Sequence, residues 1–197
     1  MNLYLLFFKI IAFIVLLVFV LIISDVNKKD SKPLTKQLWI TLMRLLFPIP
    51  PLCYAFFLYQ LENTTIWDYG ALALMMIGVW IIVLSKNRLG DRHSWTGYSK
   101  QNIDNFERTG IYKHIRHPLY TGIYVAVTGS TIVVFQRAQF NSLIFWAYVL
   151  ANVYVYTFIY ISSQRESNSL REQFGEEFAA YERDVPAFVP KLFNKRQ

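Results

Sequence analysis

Apolar residues in this chain run together in long blocks instead of recurring at the spacing of a one-sided helix or strand. Five such blocks lie at about residues 3–24, 37–61, 69–85, 118–135 and 140–163, with short polar stretches between them. A helix of roughly 20 apolar residues crosses the ~30 Å of hydrocarbon in a bilayer, so each block predicts a membrane-spanning helix. The second block holds Pro48, Pro50 and Pro51. Proline lacks the N–H that an interior turn needs, so this span is predicted to kink or break. Beyond the fifth block, Leu170, Phe174, Phe178 and Tyr181 recur at helical spacing among charged residues. That predicts an amphipathic helix, ended by Pro186 and Pro190. The expected fold class is all-α: a polytopic membrane bundle of about five transmembrane helices with a C-terminal amphipathic cytoplasmic helix, in one domain over residues 1–197.

Charge gives the bundle a direction. Lys and Arg number four in residues 25–36, none in 62–68, seven in 86–117, one in 136–139 and six from 164 onward. The alternation fits the positive-inside rule with an odd number of spans. The N-terminus is expected outside, and 25–36, 86–117 and the tail on the cytoplasmic side. The net charge is +7, but its carriers sit between apolar blocks. An anionic membrane surface is therefore the expected partner, and nucleic acid is not. The first block has no basic n-region and no Ala-x-Ala site, so a retained helix is expected there.

Few residues offer chemistry. The lone cysteine, Cys53, lies in an apolar block and reads as a buried free thiol. Three histidines, His93, His114 and His117, with one cysteine do not make a dedicated metal site. Pro118 suits the first turn of the fourth span. Arg116 and His117 then stand at a helix mouth, beside unpaired N–H groups that favour an anion, although such residues also serve as plain headgroup anchors. Gly122, Ala126 and Gly129 offer small positions for close helix contact. Arg44 lies inside span two, where it could hold an anionic substrate group or snorkel to the interface. Asn152, midway along span five, is expected to bond between helices.

Two motifs stand in order around the last membrane hairpin. The first is Arg116-His117-Pro118-x-Tyr120-x-Gly122. The second is Glu166-x-x-x-Leu170-x-x-x-Phe174-Gly175-x-Glu177-Phe178-x-x-Tyr181, followed by a Val-Pro…Pro ending. Together they resemble the isoprenylcysteine carboxyl methyltransferase family, which is similar to the phospholipid N-methyltransferases in this region. The resemblance implies an integral membrane methyltransferase that uses S-adenosylmethionine, with the cofactor-binding part at about residues 104–192. It implies cofactor contacts at Tyr112, His117, Pro118, Leu119, Tyr120 and Glu166, and more loosely at Phe106 and Glu107. Arg116, His117 and Glu166 are the expected catalytic residues.

The chemistry is coherent with that resemblance. His117 at a helix N-terminus suits the cofactor's carboxylate, and Glu166 suits its ammonium. Tyr112 and Tyr120 can flank the adenine or the sulfonium. Methyl transfer by in-line displacement asks the protein to align and desolvate, so no nucleophilic triad and no metal is needed.

The chain departs from the family at two places. Ser162 stands where the carboxyl methyltransferases carry an arginine thought to hold the substrate carboxylate. A histidine common before the Gly-x-Tyr element is replaced around Asp104. These departures open the acceptor to a lipid or another lipophilic small molecule, with Arg44 and Ser162 as substrate-side positions. Two alternatives remain: an NADPH-dependent sterol- or steroid-type reductase, whose tail ends similarly, and a non-catalytic membrane scaffold.

Overall fold

The computed structural model describes residues 3–24, 31–90, 98–100, 104–140 and 142–191. His93, Lys28 and Lys29 lie outside the described residues. The elements in order are α1 (Leu3–Ser24), β1 (Ser31–Pro33), α2 (Gln37–Leu46), α3 (Ile49–Tyr59), α4 (Ile66–Leu89), β2 (Tyr98–Lys100), a 3-10 turn (Gly110–Lys113), α5 (Pro118–Arg137), α6 (Leu143–Phe174) and α7 (Glu176–Asp184). Five helical stretches are long and apolar enough to cross a membrane, with α2 and α3 counting as one. The fold is the expected helical membrane bundle, with one addition. A short antiparallel ribbon pairs Ser31 with Lys100 and Pro33 with Tyr98.

Each interruption of the bundle has a local cause. Between α2 and α3 the chain breaks at Phe47-Pro48, and Pro50 and Pro51 sit in the first turn of α3, where a missing N–H costs nothing. Helix α4 begins on a capping box: Thr65 and Asp68 bond each other's backbone, which satisfies N–H groups that the first turn leaves open. Helix α6 has 32 residues, or about 48 Å of helix, well beyond the hydrocarbon thickness. Residues 164–174 therefore continue the fifth span instead of starting the separate tail helix expected from Leu170. The break comes at Gly175, whose φ of +55° is a conformation that other residues rarely adopt. Only α7, with Phe178 buried and Glu176 and Glu177 exposed, is the amphipathic tail helix.

The tightest packing is between α4 and α5. A Cβ on Gly78 would lie 2.5 Å from the Ala126 nitrogen, and one on Gly122 would lie 2.7 Å from the Gly78 oxygen. One on Gly129 would lie 2.6 Å from the Ala71 oxygen. The small positions of α5 thus let two backbones touch, which is how helices associate where lipid removes the hydrophobic drive. Helix α6 meets α5 instead through large side chains. The Tyr148 hydroxyl bonds Ser130 at 3.1 Å and Thr131 at 2.8 Å, and the Tyr124 hydroxyl donates to the Tyr156 carbonyl at 2.9 Å. Asn152 does not make the expected interhelical bond. Its Nδ2 donates to the Tyr148 carbonyl of its own helix at 2.9 Å. A bond of i to i−4 was in reach, so the amide took it.

The two ends of the bundle are marked by polar contacts. At one end Lys9 donates to the Tyr59 carbonyl at 2.8 Å, and Arg137 pairs with the buried Asp68 at 2.7 Å. At the other end Lys86 donates to the Ile22 carbonyl at 2.7 Å. The ribbon, the start of α5 and the end of α6 lie at this second end, so both sequence motifs do too.

Candidate active site

The site forms where α5 begins and α6 extends past the membrane thickness. Gly110, with φ +57°, opens the 3-10 turn that buries Tyr112. A Cβ there would lie 2.8 Å from the Arg88 side chain, so glycine fits on both counts. The chain then bends at Arg116 and passes through His117, with φ −120° and ψ 58°, into Pro118, the first residue of α5. The first bonded N–H of α5 is that of Thr121, to the His117 carbonyl at 3.0 Å. Pro118 has no N–H, so the amides of Leu119 and Tyr120 are left without a partner in the helix.

The tail closes over this segment. The Arg116 N–H donates to the Pro186 carbonyl at 2.8 Å and the His117 N–H to the Ala187 carbonyl at 2.9 Å. The Thr121 hydroxyl donates to the Phe188 carbonyl at 3.0 Å. These bonds set the Phe188 ring 5.9 Å from the His117 ring and 5.5 Å from that of Tyr124.

His117 and Glu166 meet. Nδ1 of His117 lies 3.7 Å from Oε2 of Glu166, and its Nε2 lies 3.0 Å from the Ser167 hydroxyl. The Tyr120 ring stacks 5.6 Å from the imidazole, and the Glu166 carboxylate acts electrostatically on its buried hydroxyl. His117 is only 5% exposed. Burial, reinforced by the Arg116 charge and opposed by Glu182, pushes its pKa down to about 3. The ring is therefore neutral near pH 7, and its approach to Glu166 is a contact between an imidazole and a carboxylate, not an ion pair.

Arg116 is committed elsewhere. Its Nε donates to the Val185 carbonyl at 3.0 Å, its Nη1 reaches the Ser167 hydroxyl at 3.2 Å, and it pairs with Glu182. Glu182 also pairs with Arg171 of α6. Burial pushes the Glu182 carboxyl up, but Arg171 and Arg116 outweigh it and hold the group below its usual range. Arg116 thus fastens α6, α7 and the tail around His117. Ser167, Glu182 and Phe188 belong to the site by contact, yet no sequence reading marked them. The one signal was position: Ser167 follows Glu166, and Phe188 lies between the prolines of the Val-Pro…Pro ending.

The remaining expected residues divide. Pro118 is buried and Leu119 half-buried beside His117. Phe106 is packed against Phe174, Phe178 and Tyr181, with ring centroids 5.2–5.3 Å apart. The Tyr181 hydroxyl donates to the Tyr112 carbonyl at 2.7 Å, which ties that cluster to the 3-10 turn. Glu107 accepts from the Thr109 N–H at 2.8 Å and so braces the same turn. Ser162 lies one helical turn before Glu166 and lines a cavity between α2 and α6. Arg44 is exposed on α2. Among the described residues no three His, Cys, Asp or Glu side chains gather to hold a metal ion.

A bundle that brings an Arg-His-Pro helix mouth to a glutamate on a neighbouring helix end defines a polytopic membrane protein with one intramolecular site at one end. The sequence pattern of the phospholipid methyltransferase family matches residues 67–177, more than half of the chain, and the chain belongs to that family. It is similar to methanethiol S-methyltransferase 2 of Bradyrhizobium diazoefficiens, with 27% identity over 148 residues, 68% of this chain and 53% of that protein. It is also similar to protein-S-isoprenylcysteine O-methyltransferase of Schizosaccharomyces pombe, with 25% identity over 131 residues, 65% of this chain and 51% of that protein. The chain spans about half the length of these curated relatives.

Proposed function

We infer that this protein is an integral membrane methyltransferase that uses S-adenosylmethionine and acts on a lipophilic acceptor. The observation that carries the reading is the meeting of His117 and Glu166, 3.7 Å apart, at the unbonded start of α5. Family membership supports it.

The donor set fits the cofactor. Glu166 offers a carboxylate to its ammonium. The unbonded Leu119 and Tyr120 amides offer N–H donors to its carboxylate. Tyr120 and Tyr112 offer aromatic faces to a sulfonium. When bound, the cofactor supplies an electrophilic methyl group on positively charged sulfur.

The residues of this chain do the rest. Glu166 holds and orients, with its carboxylate set beside the His117 imidazole. His117, neutral and buried, hydrogen-bonds without adding a positive charge beside the sulfonium. Phe188 and the tail carbonyls exclude water from the mouth of α5, which favours a displacement that loses charge. Arg116 is a positioning residue, because its Nε and Nη1 bond Val185, Ser167 and Glu182. Loop charge supports an N-terminus outside, with the site and the tail on the cytoplasmic side.

Calorimetric titration of the detergent-solubilised protein with S-adenosylmethionine, its demethylated product and NADPH tests this reading. Binding of the first two, lost in Glu166→Ala and His117→Ala variants that remain folded, is expected. Binding of NADPH alone would replace the reading with the reductase one.

A further inference from the structure

Ser167 follows Glu166 on α6 and is only 3% exposed. Its hydroxyl oxygen lies 3.2 Å from Arg116 Nη1 and 3.0 Å from His117 Nε2. The second imidazole nitrogen, Nδ1, lies 3.7 Å from Oε2 of Glu166. Arg116, Ser167, His117 and Glu166 thus stand in a row across the mouth of α5 and the end of α6. A cation begins the row and a carboxylate ends it. The two groups between them are neutral near pH 7, the imidazole because burial holds its pKa down to about 3.

The direction of this row follows from the donors. A guanidinium donates and never accepts, so Ser167 accepts from Arg116. A hydroxyl also has one hydrogen of its own to give. If Nε2 carried the imidazole proton, Ser167 would accept twice. Its own hydrogen would then be left without a partner in this pair of bonds, at a cost of about 1–3 kcal/mol for a buried donor. The bare lone pair of Nδ1 would also face the Glu166 carboxylate, which repels it. With the proton on Nδ1 both faults vanish. Ser167 then donates to Nε2, and Nδ1–H points toward Oε2. At 3.7 Å that last contact is longer than a hydrogen bond, so the N–H acts on the carboxylate as a dipole. The bond at one ring nitrogen decides the state of the other.

We propose that Ser167 is a positioning residue that fixes His117 in its Nδ1–H tautomer, so that Arg116, Ser167 and His117 form a one-way row of donors ending on Glu166. This deepens the methyltransferase reading and rests on it for the use of the row. Oε2 of Glu166 is held from the His117 side, and Oε1 is left for the cofactor's ammonium. The Arg116 charge polarises the row through two neutral groups, which strengthens each bond in it. Ser167 touches neither reacting atom; it acts through the imidazole.

Nitrogen NMR of the full chain in detergent reads the tautomer directly. The protein is labelled with ¹⁵N-histidine, and His93→Gln and His114→Gln leave His117 as the one labelled ring. At pH 8, with and without S-adenosylhomocysteine, Nδ1 is expected to give the signal of a protonated nitrogen and Nε2 that of a hydrogen-bonded lone pair. Ser167→Ala should move the Nε2 signal to that of an unbonded lone pair and weaken S-adenosylhomocysteine about three- to fivefold, the worth of one hydrogen bond. Ser167→Thr, which keeps the hydroxyl, should restore both. A proton on Nε2 in the parent protein would overturn the proposal. So would an Nε2 signal indifferent to Ser167→Ala, even if affinity fell, because a merely structural serine would behave in that way. Absent S-adenosylhomocysteine binding in the wild type would sink the methyltransferase reading, whereas the tautomer measured on the unliganded protein judges Ser167 by itself.

Discussion

The main-chain N–H of His117 donates to the carbonyl of Ala187 at 2.9 Å, across 70 residues of sequence. That bond and its neighbour from Arg116 to Pro186 make the C-terminal tail part of the site wall. Without the tail, the buried imidazole would face solvent, and the two amides would lose their acceptors.

Truncation after Asp184 therefore has a specific expected result. It removes the acceptors for Arg116 N–H, His117 N–H and Arg116 Nε, and one of the two acceptors within reach of the Thr121 hydroxyl. The contacts between the spanning helices remain but Phe188 is lost from the core cluster it packs against, so the thermal midpoint in detergent should fall by a few degrees only. Affinity for S-adenosylhomocysteine should fall at least roughly tenfold, the worth of one or two hydrogen bonds. Unchanged affinity would mean that the tail does not shape the site.

Arg116→Lys should destabilise nearly as much as Arg116→Ala. The guanidinium serves Val185, Ser167 and Glu182 in three directions, which an ammonium on a flexible stem cannot do. The pair is partly exposed, so the loss should be about 2–3 kcal/mol, at the low end for a buried ion pair. Thermal unfolding in detergent measures it. A fully rescuing lysine would reduce Arg116 to a simple positive charge.

Gly78→Ala and Gly122→Ala should each cost about 1–3 kcal/mol, because the new methyl group meets backbone atoms of the facing helix. Gly70→Ala, in the same helix α4 with nothing within 4 Å, is the control. It should be neutral or slightly stabilising, since alanine favours the helix by up to ~1 kcal/mol. Equal effects at Gly70 and Gly78 would show that helix propensity, not close contact, governs both.

His117 makes the fold sensitive to acid. Its folded pKa, about 3, lies below the ordinary 6.5, so between those values the unfolded chain binds a proton that the folded chain refuses. Stability contributed by the neutral ring is fully present above 6.5 and falls as the pH drops toward 3. At pH 4.5 the loss from this group is about 2–3 kcal/mol. His117→Asn should flatten the decline of the thermal midpoint between pH 7 and 4.5. An equally steep decline in that variant would assign the acid sensitivity to other groups.

The primary sequence determined the membrane class by itself. A long apolar run has few fates other than crossing the bilayer, and backbone hydrogen bonding then makes it a helix. The breaks at Pro48 and Gly175 are equally local, since each follows from one residue's allowed backbone conformation. His117 and Glu166 could be named because the two motifs that carry them resemble those of a known family. The length of α6 could not be read, because residues 164–174 are polar and stay helical only by continuing a helix already formed and packing against the tail. Side-chain partnership was equally invisible. Arg116 was expected to act on a ligand, and tertiary structure set its Nε and Nη1 on Val185, Ser167 and Glu182. Asn152 was expected to join two helices and bonded its own. A sequence states which groups can bond. Which partner wins depends on distances set by the whole bundle, and for this site those distances were decided by how the tail folds back over the mouth of α5.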